Sequence, residues 1–237
     1  MNVIETEAQL AETAVSPVIE TPLPRERYLH GNLGCGKVIF PTPEMREAEP
    51  HVDWLNIDRL PLPGVEQQLD LFQYPWPLPD EYFDHLFCSH VVEHIPHQPR
   101  YSGWCSAETW KRYQDLDGFY AFFAECWRVL KPGGTILVVV PHAGSDGADQ
   151  DPQHTRYLVP TTISYLCQQQ SPTFDYHLGS YFHWQIVEVQ FSIDTAFVGL
   201  PSEEVERLAH RQRNVIYEFR FTLRKLPLVR PLAGDNE

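Results

Sequence analysis

The chain has 237 residues, 43% of them hydrophobic, enough for one sizeable core and one domain rather than two. Its 18 Lys and Arg against 32 Asp and Glu give a net charge of −14, which argues against nucleic acid or an anionic membrane as partner. Five cysteines (Cys35, Cys88, Cys105, Cys126 and Cys167) are widely spaced without a C-x-x-C pair, so neither a disulfide framework nor a structural zinc knuckle is expected.

Residues 1–24 contain Glu5, Glu7, Glu12 and Glu20 but no Lys or Arg, and read as an acidic, disordered tail ahead of one domain over 25–237. Residues 1–24 show neither a basic n-region nor an apolar h-region and no run of about 18 apolar residues occurs, so a soluble, cytoplasmic chain is expected. From Tyr28 onward short apolar segments alternate with polar turns. Strands are predicted over Arg27–Leu33, Asp53–Ile57, Gln67–Leu71 and Phe83–Cys88. Pro41, Pro43 and Pro50 require any helix between the first two strands to be short or broken.

A helix is predicted from Asp117 to Leu130, with Phe119, Phe122, Phe123, Cys126 and Leu130 facing the core, stopped at Lys131-Pro132-Gly133-Gly134. The β-branched run Thr135–Val140 is apolar on both faces, as in a strand covered on both sides. Residues 141–180 form a long polar segment, with a predicted helix at Thr161–Gln169, placed as an acceptor-side insertion or lid. Tyr181–Ile193 and Asn214–Lys225 alternate with a period of two and read as an antiparallel hairpin. Between them Ser202–Arg213 reads as a helix capped by Ser202. The pattern as a whole predicts an α/β doubly wound sheet, mostly parallel.

The sharpest motif is Asn32-Leu33-Gly34-Cys35-Gly36, directly after the first strand. Two glycines let the backbone turn tightly and approach a ligand. In open α/β sheets the site lies beyond the carboxyl ends of the strands, where the strand order reverses. Asn56-Ile57-Asp58, Leu69-Asp70-Leu71 and Ser89-His90 end the next three strands on the same edge. A dinucleotide oxidoreductase would want a third glycine where Ile39 stands. His90-Val91-Val92-Glu93-His94 matches an H-x-x-E-H zinc pattern, but Pro96 and Pro99 cut the helix it needs, and no metal is expected.

Five ordered pieces resemble the class I S-adenosylmethionine-dependent methyltransferases: Asn32–Gly36, Asn56–Asp58, Leu78–Asp84, Ser89–Ile95 and Arg128–Gly134. The resemblance covers residues 28–142 and implies a seven-stranded Rossmann-like sheet of order 3-2-1-4-5-7-6, with S-adenosylmethionine as cofactor. It implies that Asn32, Gly34, Cys35 and Gly36 cradle the methionine part, and that Asp58 holds the ribose. Asp70 would face the adenine amino group with Leu71 beside the ring, and Ser89 and His90 would flank the sulfonium. Val38 departs from the family where a further glycine is common.

The implied activity is methyl transfer to an oxygen or nitrogen atom of a small-molecule or sugar acceptor. A non-catalytic cofactor-binding module of the same fold is the alternative. An acceptor proton would need a base, and His94 and His154 are the catalytic candidates. Glu93, His142 and Arg156 are candidate acceptor-binding residues, Arg156 being suited to a carboxylate or phosphate. Tyr101, Trp104, Trp110 and Tyr113 form either an aromatic wall or loop packing.

Overall fold

The computed structural model describes residues 27–103, 105–167 and 181–228. The expected acidic tail, Trp104 and the end of the expected 161–169 helix lie outside them. Seven strands form one sheet: β1 (Tyr28–Leu33), β2 (Val52–Asp58), β3 (Gln67–Gln68), β4 (Phe83–Ser89), β5 (Leu130–Pro141), β6 (Trp184–Ile193) and β7 (Ile216–Lys225). Their order is 3-2-1-4-5-7-6. Strands β1 to β5 pair in parallel, and β7 pairs antiparallel with both β5 and β6. The order reverses between β1 and β4, which places the crevice beyond their carboxyl ends.

The three longest helices among the described residues are α1 (Pro43–Ala48), α2 (Gly118–Val129) and α3 (Ser202–Ala209). The six-residue α1 matches what the prolines require. In α2 the Asp117 carboxylate caps the start by accepting from the Phe119 amide at 2.8 Å. Its apolar stripe, Phe119, Phe122, Phe123 and Cys126, is buried, as expected from the spacing, and Val129 joins it, whereas Leu130 is buried as the first residue of β5 rather than in the helix. Phe123 meets Phe221 of β7 and Trp184 of β6 edge to face or tilted, 6.4 and 6.5 Å between centroids. Burial of each such ring stabilises the fold by about 1.5–3 kcal/mol. Gly118 begins α2 because a Cβ there would stand 2.1 Å from the Pro96 carbonyl oxygen.

A buried carboxylate locks α2 to the chain before β4. Glu125 accepts from the Trp76 amide (2.5 Å), the Tyr113 hydroxyl (2.5 Å) and Arg128 (2.7 and 2.8 Å). Arg128 continues to the carbonyls of Leu78 and Trp76 and to Asp80. Tyr113 is therefore packing, stacked on Tyr74, while Tyr101 and Trp110 form a separate pair nearer solvent.

Several boundaries differ from expectation. Strand β3 stops at Gln68, because the Asp70 carboxylate accepts from the Phe72 amide and turns the chain. Lys131–Gly134 lies within β5, accommodated by an irregular register between Phe83↔Leu130 and His85↔Thr135. The α3 cap is Pro201, with Ser202 already the first helical residue and no side-chain cap bond. The Thr161 segment is a turn of α-helix, Pro160–Ile163, followed by a 3₁₀ turn, Ser164–Leu166. The two faces of β5 are unequally covered. Ile136, Val138 and Val140 are fully buried, whereas Thr135, Leu137 and Val139 are half-buried. On that thinner side Phe40 packs against Trp54 and Phe87 (4.9 and 5.3 Å), standing in for part of the shortened first helix.

Candidate active site

The glycine turn adopts the left-handed backbone that its sequence requires, with φ of +65° at Gly34 and +53° at Gly36. A Cβ on Gly34 would stand 2.4 Å from Val91 Cγ2, so the turn lies directly against the segment that follows β4. Asn32 and Asn56 hold this arrangement from below. Asn32 Nδ2 donates to the Val38 carbonyl and to Asn56 Oδ1, and Asn56 in turn exchanges hydrogen bonds with the Phe40 backbone. Both asparagines are buried, so Asn32 shapes the turn from beneath the site.

Asp58, at the end of β2, accepts from the Gly36 amide at 2.8 Å and from the Leu60 amide at 2.9 Å. Asp70 sits beside it and is engaged by Arg100, whose Nη2 lies 3.1 and 3.3 Å from its two oxygens. Arg100 is delivered there by a two-residue parallel pairing of Gln73–Tyr74 with Arg100–Tyr101. Cys35 is buried, and burial together with the Asp58 charge pushes its thiol up to about 11. It therefore serves as a small neutral residue of the turn.

Beyond β4 the chain makes a strained corner. His90 has φ of +55°, uncommon for a non-glycine residue and a frequent mark of functional sites. Its ring lies between two carboxylates, Nδ1 3.2 Å from Glu93 Oε1 and Nε2 3.3 Å from Glu218 Oε2. The hydrogen bond to Glu93, with Glu218 adding to it, raises the His90 pKa above its ordinary value. Val92–His94 is a single 3₁₀ turn, so His90 and His94 do not share a helix, as the prolines implied.

A cleft of about 440 Å³ gathers these parts. Of the residues expected from sequence, Gly34, Asp58, Asp70, Leu71, His90 and His94 line it. Arg59, Val91, Pro96, Arg100 and Gln153 also line it and were not singled out; most adjoin a singled-out residue in the chain. Asn32, Cys35, Gly36 and Ser89 lie in the segments that frame it. The volume is in the range of small-molecule sites. A glycine backbone wall with an acidic strand end fits an adenosyl cofactor.

The remaining candidates divide. Glu93 is fully buried beneath His90, and His94 and His154 meet edge to face with centroids 4.6 Å apart. His142 stands apart from them. Its Nδ1 accepts from the Gly144 amide, and burial lowers its pKa. Arg156 is not brought to the cleft. Its guanidinium donates to the carbonyls of Ile95 (2.7 Å) and Pro96 (3.0 Å) and pairs with Asp117 at 2.7 Å. It fastens residues 95–96 and the start of α2 together.

Residues 43–138 match the methyltransferase domain family, a stretch that begins after the glycine turn. No curated protein matches the chain by sequence. Among solved structures, an S-adenosylmethionine-dependent methyltransferase from Archaeoglobus fulgidus is similar in fold. It has TM-score 0.52 and 18% identity, over 84% of this chain and 86% of that one. The YcgJ protein of Bacillus subtilis gives TM-score 0.46 at 15% identity, over 86% and 94% of the two chains. The N-methyltransferase NodS of Bradyrhizobium japonicum, in complex with S-adenosyl-L-homocysteine, gives 0.43 at 13%, over 84% and 78%. Among the described residues no helix is long and apolar enough to cross a membrane. The chain thus carries a stretch similar to the methyltransferase domain family, within a seven-stranded sheet of order 3-2-1-4-5-7-6 that shares its fold with the Archaeoglobus fulgidus methyltransferase.

Proposed function

We propose that the protein transfers a methyl group from S-adenosylmethionine to an oxygen or nitrogen atom of a small-molecule or sugar acceptor. The observation that carries this reading is one continuous cleft. Gly34, Asp58, Asp70 and Leu71 line it together with His90, His94 and Gln153. The cofactor brings an already activated methyl group, so the protein's main task is alignment and exclusion of water.

In this reading Gly34 and Gly36 offer bare backbone to the methionine part. Asp58 has lone pairs left for the ribose hydroxyls after accepting from Gly36 and Leu60. Asp70 faces the adenine amino group while Arg100 holds it, and Leu71 packs on the ring. Ser89 and His90 flank the sulfonium. His94 and His154 serve to take an acceptor proton, and the described part of the 141–180 segment, residues 141–167, covers the acceptor side of a single domain. The net charge of −14 disfavours nucleic acid as the acceptor. All five cysteines are free thiols, which fits a cytoplasmic location.

The test is incubation of the protein with methyl-labelled cofactor and a metabolite extract, followed by mass spectrometry. A labelled small molecule whose yield falls in His94→Ala supports the reading. Cofactor binding without any labelled product would instead support a non-catalytic module.

A further inference from the structure

Glu93, His94 and His154 converge although 60 residues separate the first two from the third. The backbone fixes the meeting. The amides of Thr155 and Arg156 donate to the Glu93 carbonyl at 2.8 and 3.1 Å, and the Thr155 hydroxyl donates to the Ile95 carbonyl at 2.8 Å. One carboxylate oxygen of Glu93 and one ring nitrogen from each histidine lie within 4.8 Å of one another.

Two further observations point to a ligand. Glu93 is fully buried; its Oε1 faces His90, but its Oε2 has no hydrogen-bond partner. A carboxylate oxygen removed from water without a partner is costly and rare. His154 Nδ1 lies 2.9 Å from the Ala148 carbonyl oxygen, which can only accept. Nδ1 therefore carries the proton, and Nε2 presents a lone pair. Donation of one ring N–H to a backbone carbonyl is how metal-bound histidines are oriented.

We propose that Glu93, His94 and His154 form a binding site for a divalent transition-metal ion of the zinc class. Two imidazoles and one carboxylate suit zinc and its first-row neighbours, whereas magnesium and calcium prefer oxygen donors alone. Three protein ligands leave a coordination position open for water or substrate. His94 lines the cleft, so the site adjoins it. The cation also neutralises the buried Glu93 charge. The open position would take an oxygen donor of the acceptor, and only this last clause rests on the methyl-transfer reading. In that case the ion takes over from the two imidazoles the task of activating the acceptor.

The test uses the untagged full chain, stripped with a chelator, repleted with zinc sulfate and measured by elemental mass spectrometry and by competition with a chromophoric chelator. One zinc per chain is expected, together with a rise in Tm. Glu93→Gln and His154→Ala should each weaken zinc binding by more than the roughly 10–100-fold that loss of an outer-shell partner costs. Circular dichroism reports folding; if Glu93→Gln unfolds, His154→Ala carries the comparison. No stoichiometric zinc, or zinc binding that both variants leave unchanged, overturns the site. S-Adenosylhomocysteine binding is measured on the same samples. Zinc bound without cofactor removes the methyl-transfer reading and keeps the metal site, and the converse removes the metal site alone.

Discussion

The Gly36 amide donates to Asp58 Oδ2 at 2.8 Å, so the glycine turn after β1 and the acidic end of β2 form one unit. The Cys35 amide reinforces it by donating to the Ile57 carbonyl at 3.0 Å. The position of the ribose-binding candidate and the conformation of the turn are thus set by the same contacts.

The two glycines of the turn should respond differently to alanine. Gly36→Ala meets no neighbour within 4 Å and bears only the left-handed backbone penalty, about 1–2 kcal/mol. Gly34→Ala bears that penalty and also drives a methyl group into Val91, which lines the cleft. Urea unfolding should show the larger loss for Gly34→Ala, accompanied by weaker cofactor binding. Equal losses would contradict the close approach of Val91.

The chain's own pattern made most strands and the core face of α2 readable, because strands with polar turns and an i, i+3, i+4 stripe leave a periodic trace, whereas the strand order was implied by the family resemblance. What it could not supply came from contacts remote in sequence or from local competition. The Asp70 turn shortened β3, and the register irregularity near His85 drew Lys131–Gly134 into β5. Arg156 looked available to an acceptor, yet backbone carbonyls sixty residues away take its donors. The meeting of His94 with His154 has no periodic trace at all.

Arg128→Met should destabilise the protein by about 3–5 kcal/mol, because it leaves the fully buried Glu125 carboxylate without its charge partner. Adding Glu125→Leu should recover part of that loss. Guanidinium unfolding of the two variants decides it. A loss under about 1 kcal/mol in the single variant would mean that the pair behaves as an exposed one.

Acid should weaken the fold through His85. Burial, with the nearby His30 charge adding to it, lowers its pKa to about 4, against about 6.5 in the unfolded chain. Between these values the unfolded state binds the extra proton. Stability is therefore complete above about pH 6.5 and is lost as pH falls toward 4, by on the order of 2–3 kcal/mol. His30, likewise lowered by burial, acts in the same direction. His85→Phe should flatten the fall in a series of unfolding titrations between pH 7.5 and 4.5, and an unchanged slope would assign it elsewhere.

Thiol labelling should distinguish the cysteines. Cys35, Cys88, Cys126 and Cys167 are buried, and burial raises the thiol pKa of each, whereas Cys105 is partly exposed. Iodoacetamide at mildly alkaline pH should modify Cys105 first in the native protein and all five only in denaturant, as read by peptide mass spectrometry. Early modification of Cys35 would show that the glycine turn opens.

Calorimetric titration of the full chain with S-adenosylhomocysteine tests the central claim most directly. The account predicts one site per chain in the micromolar range. Asp58→Ala should weaken it by about 1–3 kcal/mol, roughly 5–150-fold, through loss of hydrogen bonds to a charged group. No binding by the unmodified protein, or Asp58→Ala binding as tightly as the parent, would contradict it.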